Sequence, residues 1–188
     1  KSLIGSFATH DDISPMFNGG VDYFNLTSGL QATLPMTNPY FVDGFQSGDK
    51  YLYKYEDKKS PETFTDSKEM YVNHGQIDIF NLSRKPGGNH PEIGQFLQKA
   101  FEMRNKYNDV ITKGSFIELG KKDDPGDQII AYARHLNGKT LLVVANKNVD
   151  RNISGTVEVP GLKPNQTLTD LLPSYGKPSD FQAANNSV

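Results

Sequence analysis

The chain contains no cysteine, so disulfides and thiolate chemistry are excluded. It has no run approaching the ~20 apolar residues that a bilayer-spanning helix needs, and no signal peptide is visible. An excess of one charge is also missing. Against 20 Lys and Arg stand 22 Asp and Glu, leaving a net charge of −2. A nucleic-acid binder would usually present a basic face, so that class gets no support. Apolar residues make up only 36% of the chain, and the mean hydropathy is −0.58. What is present is aromatic bulk. The 11 Phe and 9 Tyr can supply a core. The length of 188 residues fits one ordinary domain or two small ones, and it can bury most of its apolar surface.

Ser2 to Ala8 reads as a short buried strand that runs into the polar cluster Thr9, His10, Asp11 and Asp12. "GGVDYFNLTSGLQATLP" then places Tyr23, Phe24, Leu26, Thr27, Leu30 and Leu34 near helical spacing, with Pro35 as the stop. "PYFVDGFQSG", from Pro39, reads as a second short strand that breaks at Gly44. Strand, helix and strand in this order predict a βαβ unit with a right-handed crossover. Asp49 to Gly88 shows little periodicity, and so long an irregular stretch usually carries function or disorder.

"HPEIGQFLQKAFEMRNKY" is the clearest helix, with Pro91 in its first turn. Ile93, Phe96, Leu97, Ala100, Phe101, Arg104 and Tyr107 share one face. Of these, Phe96, Leu97, Ala100 and Phe101 are predicted to face inward. After Gly114 the character changes. "SFIEL", "QIIAYARHL", "KTLLVVANK", "ISGTVEV" and "QTLTDLL" are short strand-like runs. Asn137-Gly138 lies between two of them and favours the type I′ turn of a tight hairpin. This spacing predicts an antiparallel sandwich. The change near Lys113 divides the chain into residues 1–113 and 114–188.

For His10, Asp11 and Asp12 the residues alone favour a plain reading, in which an Asp caps a following turn. The other reading is the start of an active site. Asp43 and Asp49 are best read as solvated loop charges. Tyr51, Tyr53 and Tyr55 fit a strand with one buried face at least as well as a sugar-stacking surface. His74, His90 and His135 have no metal-ligand spacing.

In order, these pieces resemble the C-terminal part of an α-amylase-family glycoside hydrolase. "THDD" is similar to the motif ending the seventh strand of that family's (β/α)₈ barrel, which usually reads Asn-His-Asp. "NPYFVDGFQSG" resembles the eighth-strand segment. "HPEIGQFLQKAFEMRNKYNDVITKGSFIEL" resembles the last barrel helix and its exit into the β-sandwich called domain C. Thr9 and Gln46 depart from the family pattern, where Asn and Glu are common.

The resemblance implies an α/β region, the last two strands and helices of a TIM barrel, followed by an all-β sandwich, truncated at both ends. It implies that Asp11 is the catalytic carboxylate that stabilises the transition state and that His10 binds sugar hydroxyls. The nucleophile and general acid would come from strands outside this chain, so the chain alone is expected to be inactive. The implied substrate is an α-glucan or malto-oligosaccharide cleaved at α-1,4 bonds with retention. A transglycosylase and a non-catalytic interaction domain are the alternatives. No cofactor is expected beyond a structural calcium known by family habit, for which no ligands can be named. No nucleic-acid or membrane partner is expected. Self-association through exposed barrel edges is expected of the isolated chain, and its location is left open between cytoplasmic and secreted.

Overall fold

The computed structural model describes residues 3–7, 15–41, 45, 48, 90–173, 180–183 and 187. The chain forms two compact units. One comprises Lys1–Gln31 and Thr37–Gln98, the other Ala32–Met36 and Lys99–Val188. The architecture is α/β with several antiparallel strands.

In the first unit, β1 (Leu3–Gly5) and β2 (Thr37–Pro39) pair in parallel. Between them in sequence runs α1 (Pro15–Thr33), whose helical geometry breaks at Gly19 and Gly20. Both strands differ from the sequence expectation. β1 is shorter than Ser2 to Ala8 and is not buried, with Leu3 68% and Ile4 76% exposed. Its one partner strand among the described residues is β2. β2 ends at Pro39, where the second strand was expected to begin. Tyr40 and Phe41 lie beyond its end, and Phe41 instead meets the buried Phe45 edge-on, ring centroids 6.0 Å apart.

The buried face of α1 is more polar than its aliphatic residues suggest. Phe24, Thr27 and Leu30 are buried as expected, but so are Asn25, Ser28 and Gln31. Tyr23, Leu26 and Leu34 are only half-buried. Thr27 satisfies its hydroxyl locally by donating to the Tyr23 and Phe24 carbonyls at 3.0 and 3.1 Å. Phe24 packs on Phe45 with centroids 5.2 Å apart.

The expected long helix is α2 (Pro91–Lys106). It buries Ile93, Phe96, Leu97, Ala100, Met103 and Arg104, while Phe101 is half-buried. Pro91 suits the first turn because its missing N–H would have no intrahelical acceptor there. A short helix, α3 (Asn108–Lys113), follows.

In the second unit, β3 (Ser115–Glu118), β5 (Ile129–Leu136) and β6 (Lys139–Asn146) form an antiparallel sheet in the order β3-β5-β6. β4 (Gly120–Lys122) pairs with β7 (Thr156–Glu158), and β8 (Thr167–Thr169) with β9 (Asp180–Gln182). The β5–β6 hairpin closes as the Asn-Gly dipeptide predicts. Leu136 pairs with Lys139, and Asn137 and Gly138 have φ of 50° and 76°. Positive φ at both central residues defines the type I′ turn, whose twist matches that of the strands.

Central strand β5 is covered on both faces, which is why "IIAYARHL" lacks a polar face. Ile129, Ala131 and Ala133 join a cluster with Leu119, Val157, Val159, Leu162 and Ala183. A second cluster gathers Ala32, Ala100, Met103, Val110, Ile111 and Leu141. Leu141 pairs in register with Arg134 and so shares the other face of the sheet. Full burial of a side chain the size of Ile111 contributes about 1.5–3 kcal/mol.

Candidate functional site

His10 and Asp11, the two residues assigned to the site from the sequence, lie outside the described residues, as do Thr9, Asp12, Asp43, Gln46, Asp49, Tyr51, Tyr53, Tyr55 and His74. The described residues include the two strands that precede these candidate residues in sequence. β1 ends at Gly5 and β2 at Pro39. The two strands are parallel, so their C-terminal ends lie at the same edge of the pair. Parallel α/β structures place ligands and chemistry beyond that edge. His10 and Asp11 follow β1 in sequence, and Asp43 follows β2.

Three features hold this edge together. The Tyr40 N–H donates to the Gly5 carbonyl at 2.9 Å. The buried Gln31 amide donates from Nε2 to the Gly5 carbonyl at 2.6 Å and to the Tyr40 carbonyl at 3.1 Å. Both partners are acceptors, which fixes which end of the amide faces them. The third feature is closeness: a Cβ on Gly5 would sit 2.9 Å from both Cβ and Cγ2 of Thr37. Only glycine lets the strands approach this far without a shift. Sequence reasoning missed Gln31. Its signal was positional, since it falls one and two turns beyond Thr27 and Phe24 on the buried face of α1.

The other titratable groups singled out have structural partners. His90 Nδ1 lies 2.9 Å from Glu92 Oε1, and that hydrogen bond is the main cause lowering the Glu92 carboxyl below its ordinary value. His135 Nδ1 lies 2.8 Å from Thr140 Oγ1 across the hairpin.

The two buried arginines act on helix ends. Arg104 Nη1 donates to the Ala32 carbonyl in the last turn of α1 at 2.7 Å. Arg134 donates from Nε and Nη2 to the Ile111 carbonyl at 3.1 and 2.8 Å, and from Nη2 to the Gly114 carbonyl at 2.6 Å. Carbonyls at a helix C-terminus lack intrahelical donors and carry partial negative charge, so a guanidinium suits them. Burial pulls both guanidinium pKa values down from the ordinary one. Tyr132 donates to or accepts from Thr33 Oγ1 at 2.7 Å, and burial raises its phenol above the ordinary value despite that bond.

The turn between β4 and β5 is rich in charge. Lys121 Nζ contacts Asp127, the Ile129 carbonyl at 2.8 Å and Asp124 Oδ2 at 3.3 Å. Asp124 Oδ1 accepts from the Gln128 and Ile129 N–H groups at 2.7 and 3.1 Å. Each group has a partner within the turn, so the cluster ties the loop down. Among the described residues, no group of three or more His, Asp or Glu could hold a metal ion, and no helix is long and apolar enough to cross a membrane.

No protein-family model matches the chain, and no curated protein matches it. Its fold is similar to the crystal structure of a noncanonic maltogenic alpha-amylase, AmyB from Thermotoga neapolitana, with a TM-score of 0.65 at 17% identity. The match covers 99% of this chain and 38% of that one, so the chain spans well under half the length of its structural relative. At this identity the finding concerns fold: these 188 residues are arranged like part of an alpha-amylase.

Proposed function

We propose that the chain is part of a retaining α-glucan-active glycoside hydrolase that cleaves α-1,4-glucosidic bonds of starch-like substrates. The observation that carries this reading is the fold likeness to a maltogenic alpha-amylase over 99% of the chain. In this reading residues 1–113 are the end of a (β/α)₈ barrel, and residues 114–188 belong to the β-sandwich that follows it. The parallel β1–α1–β2 unit supports the assignment, because it leads from two strand ends into the segments that resemble the family's motifs. Leu3 and Ile4 point to opposite faces of β1, and in this reading the barrel interior covers one and the outer helices the other.

Asp11 has the role of fixing sugar hydroxyls and stabilising the oxocarbenium-like transition state by its negative charge, and His10 binds a hydroxyl beside it. Retention needs two further carboxylates, a nucleophile and an acid/base, close together across the scissile bond. No residue of this chain is assigned to either task, and the reading takes both from outside these 188 residues. The chain by itself is therefore expected to release no reducing ends from soluble starch.

The test is the anomeric outcome in the full-length protein, followed by proton NMR during cleavage of a malto-oligosaccharide. The α-anomer should appear first and then mutarotate. First appearance of the β-anomer would contradict the retaining mechanism. Binding without turnover would favour a non-catalytic amylase-like interaction domain.

A further inference from the structure

We propose that Asn137 is a site of spontaneous deamidation that the β5–β6 turn keeps closed, so that the modification follows opening of the hairpin end. Asn137 and Gly138 are both exposed. A Cβ placed on Gly138 would meet nothing within 4 Å, so the space beside this residue is open, and glycine brings no side chain of its own to hinder attack. In the reaction the Gly138 backbone nitrogen bonds to the side-chain carbonyl carbon of Asn137. Its proton passes to the leaving amide nitrogen, which departs as ammonia. The cyclic imide left behind then takes up water. Opening at one carbonyl gives aspartate. Opening at the other gives isoaspartate, in which the main chain runs through Cβ. Water is the one co-reactant.

The turn decides when this can happen. Ring closure needs the Gly138 nitrogen to swing about the Asn137 Cα–C bond until it eclipses Cβ. Asn137 has φ of 50°, and a type I′ turn, the mirror image of type I, sets its ψ near about +30°. That angle turns the Gly138 nitrogen away from the Asn137 side chain, and leaving it breaks the turn. The turn is held on both sides. Leu136 pairs with Lys139, and His135 with Thr140. The second pair is also joined through its side chains at 2.8 Å, and Leu136 packs against the cluster that contains Ile111 and Leu141. Attack therefore waits on opening of these last pairs, a local event that costs less than global unfolding. Isoaspartate lengthens the link between Leu136 and Lys139 by one carbon. The two-residue turn then no longer fits its register, whereas the aspartate product keeps it, because Asp-Gly suits the same turn.

The test is to age the full-length protein at mildly alkaline pH and follow it by peptide mapping with mass spectrometry. The mass reads replacement of the Asn137 amide by a hydroxyl, and the map separates it from the other Asn-Gly pair, Asn18-Gly19. Asn137 should react about tenfold or more slowly in the native protein than in the same protein unfolded in urea. Thr140→Ala removes the hydroxyl that meets His135 and the branched shape that supports the strand. It should speed the native reaction about two- to fivefold, in line with the worth of one cross-strand pair, and leave the rate in urea unchanged. The isoaspartate form should exchange amide hydrogens faster than wild type in the peptide from Leu136 to Thr140, while Asn137→Asp should exchange like wild type. Equal rates in native and unfolded protein would overturn the proposal, because the turn would then gate nothing. So would a native rate that Thr140→Ala leaves unchanged, or an Asn137 that stays intact in urea.

Discussion

Arg134 is 2% exposed, yet among the described residues no carboxylate pairs with it. Its charge is met by the carbonyls of Ile111 and Gly114 at the end of α3 and by the ring of Phe116, 5.9 Å from its guanidinium carbon. Phe116 in turn stacks on Tyr132 at 5.1 Å. A planar fork that serves two acceptors at once is what arginine supplies and lysine does not. Arg134→Met should leave the two carbonyls without their donor in a buried setting, at a cost of about 1–3 kcal/mol for each unsatisfied group. The expected result is a lower urea midpoint with Arg134→Lys in between, and an unchanged midpoint for Arg134→Met would refute the capping role. Nothing in the sequence marked this residue. An arginine among apolar strand residues looks like a surface charge until α3 is known to end beside it.

At the scale of elements, the turn from Lys121 to Ile129 makes a titration prediction. Burial pushes the Asp124 carboxyl up, but the N–H groups of Ile129 and Gln128 and the Lys121 ammonium favour its ionised form more, and the net effect holds it below its ordinary value. Lys121 and then Lys147 hold Asp127 below the same ordinary value. A depressed folded-state pKa gives stability that is present above the unfolded value and lost as pH falls through the folded one. The turn should therefore stay closed at pH 4 and open only below the ordinary aspartate range, read from the amide shifts of Gln128 and Ile129 against pH. A midpoint at or above 3.8 would contradict the geometry.

What was legible in the sequence follows the same physics. The helix α2, the hairpin at Asn137-Gly138 and most strands between Ser115 and Thr169 were legible because period, turn chemistry and apolar runs agreed. Strands β4 and β9 were not. "GKK" and "DFQ" are too short to carry a period, and their pairing is set by partners distant in sequence. β2 was displaced because aromatic content suggested a strand at Tyr40 and Phe41, whereas these residues lie past the ladder's end.

For the whole molecule, the reading joins a fold likeness to one short polar segment. The likeness spans 99% of this chain and 38% of its relative. The segment is "THDD", legible only through a family pattern, because four polar residues after a strand would otherwise pass as a cap. Everything chemical in the account converges on Asp11. Asp11→Asn keeps the side chain's shape and removes the negative charge that would face the oxocarbenium-like transition state. Such preorganised electrostatic contributions are worth several kcal/mol in the transition state and little in the ground state. The decisive measurement is kcat and KM of Asp11→Asn in the full-length protein on a defined malto-oligosaccharide. The account predicts that kcat falls roughly a hundredfold or more while KM changes far less. Turnover near the wild-type value would make Asp11 a structural cap and contradict the account.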